Sequence, residues 1–329
     1  MNSHKKLKVA LIGAGGWGRQ HARIFQAHEG VDFCAVVGRS PDRTMKRAGE
    51  FGVRAYTDIA QMLDREQPDL VSLCLPNREH FEPTLQVIRA GVPLLVEKPL
   101  VYTLQEADLL LNEASRRGLF FAINFNHRYA KPVELAVKAI EEGKLGEMTL
   151  ASWRFGGKGV CDHPYTNLIA TQCHGLDMLE YLGGPIESVM AEMTDKTGGG
   201  FRTLSLSLRF ASGAVGSLLG TNDSSYAYPD THRMELDGTK GRVVIHDTVK
   251  RFVYHPAESE LGEVWEAGYF NDRDRAFHRT FDTHFDALLQ AFRAGERPPV
   301  PAEAGYRALL LAEAAIRSFE QGVRVTVNG

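Results

Sequence analysis

Residues 7–18, LKVALIGAGGWG, constrain the fold more than any other stretch of this chain. The apolar run Val9 to Ile12 reads as a buried β-strand. It passes directly into Gly13-Ala14-Gly15-Gly16-Trp17-Gly18, and a helix-forming stretch, Arg19 to Ala27, follows. This is a Gly-x-Gly-x-x-Gly turn in the strand–turn–helix setting that gives the pattern meaning. Gly13 permits the tight turn, Gly15 lets backbone approach a pyrophosphate, and Gly18 lets helix and strand pack closely. The helix N-terminus then offers N–H groups and a positive dipole end to phosphates. In another setting these glycines would be an ordinary flexible turn. Here Gly13, Gly15, Gly16, Trp17 and Gly18 predict a dinucleotide cradle.

Apolar strands and amphipathic helices alternate from there to about residue 126. Strands are predicted at 8–12, 32–38, 69–75, 93–97 and 120–125, with a weaker one at 54–56. Helices are predicted at 17–28, 41–51, 58–66, 78–90 and 103–117, with Ser40, Asp58 and Thr103 as N-caps. This alternation implies a doubly wound parallel sheet of the Rossmann type. After Asn126 the pattern changes. A helix at 131–142 and another at 167–182 interrupt a run of strands, with hairpins at 203–210/213–220 and 233–236/242–245. Helices at 280–294 and 302–321 close the chain. The fold class is therefore α/β: a dinucleotide-binding domain, 1–126, and a C-terminal α+β domain, 127–329, with a large, mainly antiparallel open sheet for substrate binding and oligomerisation.

Composition limits the function classes. A net charge of −3 over 329 residues gives no nucleic-acid footprint and no polybasic membrane patch. No run reaches the roughly 18 apolar residues of a membrane helix. The basic and apolar N-terminus mimics a short signal peptide, but the glycines of the turn interrupt it. The four cysteines, Cys34, Cys74, Cys161 and Cys173, form no disulfide framework. They point to a reducing, cytoplasmic setting.

The end of the second strand bears on the cofactor. A carboxylate about twenty positions past the glycines would hold a ribose 2′-hydroxyl. That position is Gly38, followed by Arg39-Ser40-Pro41-Asp42-Arg43. A small residue leaves room for a 2′-phosphate, which Arg39, Ser40 and Arg43 can bind. This favours NADP(H) and leaves NAD(H) open, with Asp42 as the alternative ribose ligand. Further along, Leu75-Pro76-Asn77 and His80 follow one strand end and Glu97-Lys98-Pro99 another. Such strand ends face a bound dinucleotide in this kind of sheet. Asn77 and His80 either contact the cofactor or merely start a helix. Lys98, at the end of a buried strand, suits proton exchange, the alternative being a structural pair with Glu97. Pro99 is a candidate for a cis peptide bond. Cys161, His163, Cys173 and His174 have zinc-ligand chemistry, but their spacing matches no standard site, and none is assigned to metal.

Taken together, these motifs resemble the Gfo/Idh/MocA oxidoreductase family. The resemblance is carried by GAGGWG, Leu75-Pro76-Asn77 with His80, Glu97-Lys98-Pro99 and Phe125-Asn126-His127-Arg128-Tyr129. His174-Gly175-Leu176-Asp177, Phe210-Ala211-Ser212-Gly213-Ala214, Gly238-Thr239-Lys240-Gly241 and Ala314-Ala315-Ile316-Arg317-Ser318 carry it further, over nearly the whole chain. It implies that Lys98 lies beside the nicotinamide and the substrate hydroxyl, and that His174 is the second catalytic group. It sets Asn126, His127 and Arg128, and Trp153 with Arg154, by the sugar or polyol hydroxyls. Glu97 and Asn126 are counted with the cofactor residues, and His163, Asn167 and Thr171 are further substrate candidates. Trp153 alternatively belongs to the sheet core. Relatives often carry an aspartate four residues before the histidine, whereas this chain has Ala170. On a regular helix Asn167 or Thr171 would share the face of His174, and Asp177 one turn on could hold its ring. The implied function is NAD(P)(H)-dependent hydride transfer to or from a sugar or polyol, by a dimer or tetramer built through the C-terminal sheet. Two alternatives are a non-catalytic nucleotide-binding regulator and a glycosidase working by transient oxidation.

Overall fold

The computed structural model describes residues 5–159 and 161–327. The chain runs β1 (Leu7–Ile12), α1 (Gly16–Ala27), β2 (Val31–Val37), α2 (Pro41–Phe51), β3 (Arg54–Tyr56), α3 (Ile59–Glu66), β4 (Leu70–Leu73), α4 (Phe81–Arg89), β5 (Leu94–Val96), α5 (Leu104–Arg116) and β6 (Phe121–Ile123). These six strands form one parallel sheet in the order β3-β2-β1-β4-β5-β6. The strands are buried because helices cover both faces, which is why they read as continuous apolar runs. Asp58 caps α3 by accepting from the Gln61 N–H, and Thr103 caps α5 through Glu106 N–H. Ser40 occupies the N-cap of α2 without a side-chain cap bond, and the Thr44 hydroxyl donates to its carbonyl instead.

The remainder comprises α6 (Lys131–Glu141), β7 (Met148–Gly156), α7 (Cys173–Gly183), β8 (Ile186–Thr194), β9 (Thr203–Phe210), β10 (Val215–Thr221), β11 (His232–Gly238), β12 (Gly241–His246), β13 (Arg251–Pro256), β14 (Glu263–Glu266), α8 (Asp272–Arg275), α9 (Arg279–Ala294), α10 (Ala302–Gln321) and β15 (Val325–Thr326). Its nine strands form a second sheet, β14-β13-β12-β11-β7-β10-β9-β8-β15. The β7–β10 pair is parallel and the other pairs are antiparallel. On β9 the residues Leu204, Leu206, Leu208 and Phe210 are buried while Ser205, Ser207 and Arg209 are exposed, so one face is core and the other is outer surface. Among the described residues no helix is long and apolar enough to cross a membrane.

Two features differ from the sequence reading. The chain divides into one compact unit up to Asn124 plus Phe281–Tyr306, and a second of Phe125–Thr280 plus the segment from Arg307. Residues 281–306 thus return to the first unit. The apolar face of α9 explains this: Phe285 packs on Phe25 at 5.2 Å and edge-on to His21 at 4.8 Å. Phe281 stacks on Trp17 at 5.5 Å. Past α9, the carbonyl of Val300 accepts from Ile123 N–H, extending the edge of β6.

The second difference is the helix expected at 167–182, which is broken. Asn167–Thr171 form a π-turn, closed by Gln172 N–H donating to the Asn167 carbonyl at 2.8 Å, and α7 starts afresh at Cys173. Side-chain bonds hold the break. Asn167 Nδ2 donates to the Arg202 carbonyl, and Gln172 Nε2 bonds Phe155 O and Asn167 Oδ1. The common face expected for Asn167, Ala170, Thr171 and His174 therefore does not form, because the wider turn resets the helical phase.

Candidate active site

In the first unit, the dinucleotide turn is fixed by close backbone approaches. Gly13 has φ +130°, and a Cβ there would sit 1.9 Å from the Cys74 carbonyl oxygen. A Cβ on Gly18 would lie 2.1 Å from the Gly13 carbonyl. By contrast, Cβ positions at Gly15 and Gly16 meet nothing within 4 Å. The residues that must be glycine for packing and those facing open space thus separate cleanly. The open ones stand where α1 begins, so the cradle fits a pyrophosphate held by backbone N–H groups.

Gly38 has a different reason for its size. A Cβ there would meet Thr44 Oγ1 at 2.5 Å and Ala14 Cβ at 3.2 Å. Its smallness is a packing requirement, so the argument that it leaves room for a 2′-phosphate loses force. Arg39 is mostly exposed and pairs with Glu79 at 2.8 Å. Ser40 and Arg43 are exposed beside it.

His80 is buried and lies between two carbonyls, Nδ1 on Pro99 O at 2.7 Å and Nε2 on Leu75 O at 3.0 Å. It ties the Leu75-Pro76-Asn77 bend to the Lys98-Pro99 turn, whose peptide bond is cis. Burial pushes this imidazole below its ordinary range, against the two carbonyls. Lys98 leaves β5 half-buried. It stands at the C-terminal edge of the parallel sheet, as do Gly13 after β1 and Leu75 after β4. The Glu97 carboxylate turns inward to His21 and Asn124, and its Oε2 accepts from Lys98 N–H at 3.2 Å.

In the second unit, rings gather around His127 and His174. Both are buried, and they stack at 4.1 Å with 14° between planes. Phe125 meets His174 edge-on at 5.9 Å, and Phe277 meets His127 at 5.4 Å. Trp153 lies 6.0 Å from His127 and is 4% exposed. Its indole lies against Gly175, where a Cβ would come within 2.4 Å of it. Its neighbour Arg154 points to the opposite, outer face, as alternation along a strand requires, so the two do not share a pocket.

His232 at the start of β11 joins this cluster, 3.7 Å from Phe155 and 6.2 Å from His127 by ring centroid. Sequence reading missed it, since no spacing links it to the others. Burial pushes its pKa down to about 4, with Asp247 opposing. Folding therefore holds the ring neutral, and between pH 6.5 and 4 the unfolded chain binds more protons. We expect stability to fall over that window by at most about 3 kcal/mol from this residue. Denaturant midpoints at pH 7 and pH 4.5 check this. The acid loss should shrink in His232→Gln, and an equal loss in both proteins would contradict it.

The remaining expected substrate residues have internal partners. Arg128 donates Nε and Nη2 to the two oxygens of Asp177 at 2.9 and 2.5 Å and lies 4.5 Å over the Tyr181 ring. Against burial, Asp177 keeps this guanidinium charged. Both Asp177 oxygens thus serve Arg128, where the sequence suggested His174. Asn167 is engaged by Arg202 and Gln172, as described above. Asn126 Nδ2 donates to Thr280 Oγ1 at 2.7 Å. His163 lies in the loop before the π-turn, with Nδ1 accepting from Tyr165 N–H, and Thr171 is half-buried. Among the described residues no three His, Cys, Asp or Glu side chains gather to hold a metal ion.

Comparison with known proteins extends these observations. The chain matches a family model described as "Oxidoreductase family, NAD-binding Rossmann fold" over residues 7–125. A second model, "Oxidoreductase family, C-terminal alpha/beta domain", matches residues 137–327. Myo-inositol 2-dehydrogenase of Thermotoga maritima is 25% identical over 96% of this chain and 97% of its own. D-glucoside 3-dehydrogenase of Escherichia coli is 32% identical over 58% of this chain and 59% of its own. A structure of levoglucosan dehydrogenase in complex with NADH and levoglucosan superposes with a TM-score of 0.89, at 21% identity over 99% of this chain and 100% of that one. At that identity the superposition establishes the fold.

Proposed function

The chain belongs to the Gfo/Idh/MocA oxidoreductase family, and we propose that it oxidises or reduces a hydroxyl-bearing carbon of a sugar or polyol with a nicotinamide cofactor. The observation that carries this reading is Lys98, placed at the C-terminal edge of the parallel sheet that also carries the Gly13–Gly18 turn. When bound, the cofactor supplies the hydride acceptor or donor at the nicotinamide C4. In the oxidising direction the carbinol C–H leaves as hydride and Lys98 takes the hydroxyl proton. In the reducing direction Lys98 returns it. His174, stacked on His127, orients the substrate and assists that transfer. His163, Thr171 and Trp153 complete the substrate side. Asn167 and Arg128 engage partners of their own, Arg202 with Gln172 and Asp177 respectively. Names of relatives support the substrate class: myo-inositol, a D-glucoside and levoglucosan all present ring hydroxyls. A panel of these compounds with NAD+ and NADP+ tests the reading directly.

On the cofactor side we propose Gly13, Gly15, Gly16, Trp17, Gly18, Leu75, Pro76, Asn77 and Asn126 as contacts, with Glu97 and His80 shaping the turn that holds Lys98. NADP(H) is favoured by Arg39, since no carboxylate ends β2. The Arg39–Glu79 pair is exposed and weak, so a phosphate can displace Glu79. Losing one charge-assisted phosphate bond costs roughly ten- to a hundredfold in affinity. Arg39→Ala should therefore weaken NADP(H) by that much in fluorescence titrations and leave NAD(H) little changed. Equal loss for both cofactors would sink the assignment.

We further propose a homo-oligomer through the outer face of the large sheet, where Val215 and Leu219 are 50% and 42% exposed. The four cysteines form no disulfide, which supports a reducing compartment such as the cytoplasm.

A further inference from the structure

Below the turn that carries Lys98, five polar side chains from five parts of the first unit form one hydrogen-bonded chain. Ser72 of β4 bonds His21 Nδ1 at 2.8 Å, and His21 Nε2 bonds Glu97 Oε1 at 2.9 Å. Asn124 Nδ2 donates to the same oxygen at 2.5 Å, and Asn124 Oδ1 lies 2.7 Å from His284 Nδ1 of α9. Ser72, His21, Asn124 and His284 are fully buried, and Glu97 is 7% exposed. The directions are mutually consistent. An ionised Glu97 can only accept, so His21 Nε2 donates, and in the neutral ring His21 Nδ1 then accepts the Ser72 hydroxyl. The Asn124 amide gives its N–H to Glu97 and takes one from His284. Rings of Phe281 and Phe285 close over His21 at 6.1 and 4.8 Å.

A buried carboxylate is costly unless every oxygen is engaged, and apolar residues of the same volume would stabilise the fold at least as well. Core packing alone does not account for this chain of groups. We propose that Glu97 and His21 are positioning residues for Lys98: the carboxylate, gripped by His21 and Asn124, fixes the Lys98 backbone N–H and sets a permanent negative charge beside the lysine. This rests on the reading of Lys98 as the proton-transferring group. Despite burial, the His21 ring, Lys98 and the Asn124 amide hold the Glu97 carboxyl below the usual range, so it stays ionised. The other titratable groups facing it are Cys74 after β4, His80 before α4 and His284 of α9. Burial raises the Cys74 thiol and lowers the His80 imidazole, so both stay neutral. Glu97 is the carboxylate that the fold holds beside Lys98.

The test reads Lys98 directly and needs no substrate. The pH dependence of Lys98 acetylation by acetic anhydride is followed by mass spectrometry in the full chain. In Glu97→Gln the labelling midpoint should move to lower pH, because the neighbouring negative charge is gone. His21→Leu, which strips the carboxylate of its partner, should move it the same way, and His21→Gln, which keeps an N–H donor, should recover part of the shift. Equal midpoints in wild type and a folded Glu97→Gln overturn the proposal. Should that variant not fold, equal midpoints in His21→Leu and His21→Gln overturn it. Turnover is a separate arm: kcat should fall on the order of a hundredfold in Glu97→Gln with cofactor affinity retained. An inert wild type across the sugar panel would count against the hydride-transfer reading, whatever the midpoints do.

Discussion

Replacing Lys98 with alanine should leave a folded protein that binds nicotinamide cofactor and turns over substrate about a hundred- to ten-thousandfold more slowly, the usual effect of removing a general acid–base group. The lysine is half-buried at a strand end, and its backbone N–H is held by Glu97 Oε2. Truncation past Cβ removes the ammonium and leaves that bond. The loss should appear in kcat, with the cofactor dissociation constant little changed, because the glycine cradle lies in the β1–α1 turn, apart from Lys98. A Lys98→Ala protein within a few-fold of wild-type turnover would remove the lysine from the chemistry.

The second large effect concerns stability and separates two glycines of one turn. Gly13→Ala forces a Cβ into the Cys74 carbonyl at a φ that L-residues rarely adopt. We expect a loss of about 4 kcal/mol or more, at the severe end for a single substitution, and no cofactor binding. Gly15→Ala meets open space and its φ is −76°, so the melting temperature should hold. Its methyl group projects where backbone must approach the pyrophosphate, so cofactor affinity should still fall. Thermal melts with and without cofactor read both effects. A Gly15→Ala protein with full cofactor affinity would show that the phosphates lie elsewhere.

The contrast between these glycines shows what the sequence discloses. Gly13 and Gly18 were legible because the requirement is local: one strand, one turn and one helix within a dozen residues. The strands of the parallel sheet were legible for the same reason, being short apolar runs between amphipathic helices. The π-turn at Asn167–Thr171 was not, because it depends on Arg202 and Phe155, distant in sequence. The return of residues 281–306 to the first unit was equally hidden, since an amphipathic helix does not announce which apolar surface it covers. Lys98 and His174 stood out from motif context. Their surroundings did not: His21 lies 76 residues from Glu97, and Arg128 lies 49 residues from the Asp177 that engages it. Asp177 looked like a partner for His174 because they are one helical turn apart, but a buried guanidinium nearby is the stronger claimant for a carboxylate.

The central claim is hydride transfer between nicotinamide and a hydroxyl-bearing carbon, with Lys98 moving the proton. Its most direct test is to incubate the wild-type protein and Lys98→Ala with NAD+ and NADP+ across myo-inositol, levoglucosan and a set of free sugars and glycosides, following absorbance of the reduced nicotinamide. Reduced cofactor should accumulate with at least one of these compounds in the wild type, and its rate should collapse in the variant. A wild-type protein that binds cofactor yet reduces none with any of them, or a variant that reduces it equally fast, would contradict the account.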